Sequence, residues 1–139
     1  MERYKRRWNL RINGLLEKSD EDPRREVCRL IGELAPHLVH KLENVIDSVH
    51  HVGKKERGRQ RQMIVQFTMR KYRDKIWKAT KNSSVCKNRG LRFVEDLTRE
   101  DRNARAALWP QIEQARKEGK KAFFRGPHGF IEGRRIIVT

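Results

Sequence analysis

Only two cysteines, Cys28 and Cys86, occur in the 139 residues, each outside any CxxC or Cys/His cluster. This excludes a disulfide framework and a cysteine-based zinc finger, and both read as reduced thiols, with Cys28 in the core. No stretch approaches the roughly 20 consecutive apolar residues that a membrane-spanning helix needs. The charged segment after Met1 is not the apolar stretch of a signal peptide, so a place in the cytosol or nucleus, without membrane contact, is expected. Acidic residues are few as well. The 18 Asp and Glu are scattered among basic positions, leaving no paired-carboxylate cluster, and no Ser-His-Asp set or P-loop is present. His37 and His40 lie near Pro36, and His50 and His51 are neighbours on a strand pattern and so point to opposite faces. No metal, cofactor or catalytic activity is expected, and the lack of an acidic metal-binding cluster counts against a nuclease.

Against these absences stands the positive charge. The 34 Lys and Arg give a net charge of +16 and a pI near 10.6. Such a chain repels itself unless a polyanion is near, and nucleic acid is the commonest one. Hydrophobic residues make up 36% of the chain, which is low but periodic, so folded structure is expected rather than a solvated basic tail. The length suffices for one core, or for one core and a small satellite.

Residues 8–12 read as a strand, with Leu10 and Ile12 facing one way and Arg11 the other. Asp22 and Pro23 open a helix whose stripe is Val27, Leu30, Ile31 and Leu34, with Arg24, Arg25 and Arg29 outside and Pro36 as its limit. Residues 45–52 form a second strand. Met63, Val65 and Phe67 alternate along a third, and Thr68 caps a second helix with Met69, Tyr72, Ile76 and Ala79 inward. A fourth strand runs near Leu91 and Phe93. The order β-α-β-β-α-β predicts an α+β fold, an RNA-recognition-like sandwich of one antiparallel sheet and two helices. Beyond it Thr98 to Asp101 forms a capping box for a long helix with Ala104, Leu108, Ile112 and Ala115 on one side, kinked near Ala106 by Pro110 and stopped at Gly119. Two or three short strands follow. The expected organisation is a basic segment over 1–7, an RNA-recognition-like domain over 8–96 and a helix-hairpin lobe over 97–139.

Charge is concentrated in the middle: residues 53–92 hold 14 Lys and Arg against Glu56 and Asp74, a net +12. Lys54, Lys55, Arg57, Arg59 and Arg61 fall in one loop that Gly53 and Gly58 keep flexible, suited to a strand of phosphates. In the first strand Arg11 stands where RNA-recognition domains place a stacking aromatic, and Gln62 and Ile64 replace two more in the third. Base-specific stacking on that sheet is therefore not expected, whereas Arg11 is read as stacking on a base or forking onto a phosphate. Arg102, Arg105 and Arg116 on the long helix, then Lys121 and Arg125, continue the basic track, interleaved with Phe123, Phe124 and Phe130. Those phenylalanines are either the small lobe's core or stacking platforms.

The segments RRWNLRINGL, DSVHHVG before the basic loop, RQMIVQF, KIWKATKN, LRFVEDLTREDRNARAALWP and FFRGPHGFIEG together resemble the first open-reading-frame protein of LINE-type retrotransposons. The resemblance covers nearly the whole chain. It implies a single-stranded RNA and DNA binder and nucleic-acid chaperone, whose parent is a homotrimer joined by an upstream coiled coil and whose two domains clamp RNA in a cytoplasmic ribonucleoprotein particle. The family's basic positions map to Arg11, to Lys54–Arg61, to Arg105 and to Arg125. Only MERYKRR precedes the first strand here, with no heptad-rich segment, so an excised or stalkless monomeric piece is expected. The turn reads Arg-Gly-Pro-His-Gly where mammalian members have a Tyr-Pro-Ala-Lys pattern, and His51 stands where relatives often have arginine. A domesticated host RNA-binding protein of the same descent is the near alternative, and a protein-interaction module using the same fold is the alternative from another class.

Overall fold

Along β1 (Asn9–Asn13) the apolar Leu10 and Ile12 alternate with polar neighbours, and both are fully buried in the computed structural model, which describes residues 2–18, 20 and 22–139. Met1 of the basic N-terminal segment, and Ser19 and Glu21 of the polar stretch after β1, lie outside the described residues. β2 (Ile46–His51), β3 (Met63–Phe67) and β4 (Arg92–Glu95) complete an antiparallel sheet in the order β2-β3-β1-β4. The fold class is α+β, as the residue pattern indicates, and is compatible with an RNA-recognition-like sandwich.

Asp22 caps α1 (Pro23–Leu34), accepting from the Arg24 amide at 3.1 Å, and Val27, Leu30 and Ile31 are buried. Ile76 of α2 (Arg70–Thr80) joins them over the β1 and β3 side chains Leu10, Ile12, Met63, Val65 and Phe67. The chain divides into two compact units, Tyr4–Asp96 and Leu97–Thr139.

Several local expectations are corrected. Between α1 and β2 the chain forms a 3-10 segment over Pro36–Lys41 and a helical turn over Leu42–Val45, because Leu38, Leu42 and Val45 recur at helical spacing and all bury. Thr68 is not the cap of α2. Met69 takes that position and is 47% exposed, while the Thr68 hydroxyl donates to the Asn44 carbonyl at 2.6 Å. Arg73 takes the inward place instead, 7% exposed, donating to the Arg7 carbonyl at 2.9 Å. A further helix, α3 (Ser84–Arg89), is capped by Ser83 and closed by Gly90 at φ 64°. Its Cys86 is the cysteine in the core, whereas Cys28 is only half-buried, with burial pushing its thiol pKa up. Arg24, placed outside by the pattern, turns back to donate to the Ile46 and Asp47 carbonyls at 2.7 and 3.0 Å.

In the second unit Thr98 caps α4 (Arg99–Lys117), accepting from the Asp101 amide at 3.1 Å. Acids in the first turn and Arg116 and Lys117 in the last complement the helix dipole. Pro110 lies within α4, which runs on through it to Lys117. Leu108, Ile112 and Ala115 are buried on the side that packs against β5 (Ala122–Arg125) and β6 (His128–Ile131). A third strand, β7 (Arg134–Ile136), extends the hairpin to a sheet ordered β5-β6-β7. Glu132 and Gly133, at φ 51° and 77°, form the tight turn between β6 and β7.

Candidate nucleic-acid interface

The loop joining β2 to β3 is pinned at its root and free at its tip. The Val52 amide donates to the Gln62 carbonyl at 2.8 Å, closing the neck. Arg61 reinforces it: Nη1 donates to the Gly53 carbonyl at 3.0 Å, Nε to Glu17 Oε2 at 3.3 Å, and Nη2 pairs with Glu17 Oε1. That hydrogen bond holds the Glu17 carboxyl below its ordinary pKa and raises that of Arg61. His51 Nε2 lies 3.8 Å from the same carboxylate. Arg61 and His51 therefore face a carboxylate of the protein itself, and Arg61, read from the sequence as a phosphate contact, is a brace for the loop.

Beyond this brace Lys54, Lys55, Arg57 and Arg59 are all exposed. Arg59 pairs with Glu56 at 3.5 Å, a solvent-exposed contact of little energetic weight. Among the described residues no hydrogen bond or ion pair engages the side chains of Lys54, Lys55 or Arg57. Burial cannot explain four cations within six residues held in water on a braced loop.

Arg11 is a correction. It lies on the sheet face turned away from α1 and α2, opposite Ile64 on β3 and Val94 on β4, but it is 8% exposed. Its Nε donates to Asp96 Oδ1 at 2.8 Å and its Nη1 to Gln62 Oε1 at 2.8 Å. Asp96, itself buried, also accepts from Arg6 at 2.9 Å and Asn9 at 2.9 Å. The guanidinium thus neutralises a buried carboxylate and is not an available cation. The polar alternation that placed Arg11 outward carried no sign of Asp96, which the register of β1 with β4 brings alongside.

In the second unit Arg105 donates from Nε to the Gly126 carbonyl at 2.7 Å and its guanidinium carbon lies 5.2 Å from the centroid of the Phe124 ring. Arg116 donates to the Ala122 carbonyl at 3.1 Å. Both therefore reach backbone, Arg105 just past the end of β5 and Arg116 at its start. Arg102, Lys121 and Arg125 are exposed, with side chains that make no ion pair among the described residues.

Among the described residues no group of three His, Cys, Asp or Glu is placed to hold a metal ion, and no helix is long and apolar enough to cross a membrane. No protein-family model matches the chain, and no curated protein sequence matches it.

Proposed function

We propose that the chain is a sequence-tolerant module that binds single-stranded RNA and DNA, the nucleic-acid-binding piece of a LINE-type retrotransposon ribonucleoprotein with chaperone action. The observation that carries this reading is the braced loop with Lys54, Lys55, Arg57 and Arg59 exposed and clustered. A strand of phosphates fits it, since each neutralised phosphate releases condensed counterions. The sheet face turned from the helices supports sequence tolerance: it presents Asn9, His50, Ile64, Gln66 and Val94, with Arg11 tied down, and no aromatic on which bases could be read.

The test is titration with a short unstructured single strand, and with its duplex, at several salt concentrations. Four neutralised phosphates predict a slope of log K against log salt of about −3 on the single strand. A slope near zero, or no binding of either form, would reject the electrostatic mechanism and favour a protein-interaction module.

A further inference from the structure

The three-stranded sheet of the second unit has two unlike faces. A Cβ built on Gly129 would stand 3.3 Å from Leu108 Cδ1 of α4 and 3.2 Å from Ile136. Phe124, which pairs with Gly129, lies by Arg105 of the same helix. Phe124, Gly129 and Ile136 therefore face α4. Side chains alternate along a strand and directly paired residues share a face. By the register Phe123↔Phe130, Arg125↔His128 and Phe130↔Arg135, these five residues share the face turned from α4. There Phe123 and Phe130 are stacked, ring centroids 5.3 Å apart and planes 17° from parallel.

This pair is not the core of the unit, which is built from Leu108, Ile112 and Ala115 on the other side, and both rings remain partly exposed. Cations surround it. Arg125 and Arg135 are exposed and make no ion pair or hydrogen bond through their side chains among the described residues. No acidic residue occurs on β5, β6 or β7.

We infer that the Phe123–Phe130 face is a nucleobase-stacking site that takes an unpaired base of single-stranded nucleic acid, with Arg125 and Arg135 on the flanking phosphates. The inference rests on the single-strand-binding reading above and adds a site to it. Each ring lends one face to the other. β5 is an edge strand, so no strand of this sheet stands beyond Phe123, and a base can continue the stack there. Arg125 lies two residues further along β5, about 7 Å on, roughly the spacing at which a cation meets a phosphate beside a stacked base. Every base has a π-face, so such a site is sequence-tolerant.

The full chain is titrated with an unstructured oligonucleotide carrying one 2-aminopurine and with an abasic oligonucleotide of the same length, which keeps the phosphates but has nothing to stack. Phe123→Leu keeps an apolar side chain and removes the ring. It is expected to weaken binding of the base-bearing strand about tenfold, about 1.4 kcal/mol, to abolish 2-aminopurine quenching, and to leave the abasic strand unaffected. Phe123→Trp is expected to retain both affinity and quenching, which keeps the test decisive should the leucine variant melt early. The site is overturned if Phe123→Leu binds both strands like the parent chain, or loses both equally. It is also overturned if sedimentation shows a dimer that this substitution dissociates, because a second copy then covers the face. If the parent chain binds neither strand, the single-strand-binding reading fails together with the site.

Discussion

Arg11 and Asp96 form a buried ion pair, Nε to Oδ1 at 2.8 Å, with the two side chains 9% and 2% exposed. Removing the cation leaves a carboxylate in a poorly solvated place that, among the described residues, keeps just the side-chain donors Arg6 and Asn9. Breaking a buried pair from one side typically costs about 3–5 kcal/mol. Arg11→Ala is therefore expected to lower unfolding free energy by about 3 kcal/mol in urea titration, while affinity for single strands, measured where both forms are folded, changes less than twofold. A stable variant with weakened binding would return Arg11 to the role of a phosphate contact.

The loop cations behave in the opposite way. Lys54, Lys55 and Arg57 touch nothing that folding requires, so replacement of each by Gln is expected to leave stability within about 0.5 kcal/mol. Each replacement is expected to flatten the salt slope by about 0.7 on single strands. Isothermal titration at three salt concentrations, beside thermal melts, separates the two quantities.

The contrast between Arg11 and these loop residues marks how far sequence reading reaches. Strand alternation at Leu10, Ile12, Met63, Val65 and Phe67, and the caps Asp22 and Thr98, are local signals, and the elements they imply are present. The exposed tip of the loop was legible for the same reason, since a run of charge beside Gly53 and Gly58 has few places to go but water. What could not be read were long-range partners. Asp96 is 85 residues from Arg11, and Glu17 is 44 from Arg61. Only strand register brings them together, and a basic residue reads alike in sequence whether a carboxylate or a phosphate awaits it. The α3 helix has only its caps Ser83 and Gly90 to mark it in the sequence, because six residues carry too little apolar periodicity to stand out.

Acid is expected to loosen the root of the loop. Glu17 has a folded-state pKa held below its unfolded value, chiefly by the hydrogen bond from Arg61. Its contribution to stability is thus complete above the ordinary carboxylate range and is lost as pH falls through the depressed folded value. Glu17→Gln keeps the shape of the side chain and removes the charge. The melting temperature of the variant is expected to lie below that of the parent chain at neutral pH and to converge with it in acid. A gap between the two melting curves that is constant with pH would show that the Glu17–Arg61 pair adds nothing through charge.

Arg105 tests whether a basic residue of the long helix acts on the ligand or on the protein. Its Nε donates to the Gly126 carbonyl at 2.7 Å, fixing the turn between β5 and β6, and its guanidinium lies by Phe124. Lysine keeps the charge but has no donor at the Nε position and no planar group to lie over a ring. For a turn brace, Arg105→Lys therefore loses the Nε hydrogen bond to Gly126, about 1 kcal/mol of stability. The salt slope should stay as it was, because the number of cations is unchanged. For a phosphate contact alone, the lysine variant would keep the parent's stability and nearly all of its affinity. Thermal melting and salt-dependent titration of the same preparation distinguish the two, and the turn brace requires the melting temperature to fall while the slope holds.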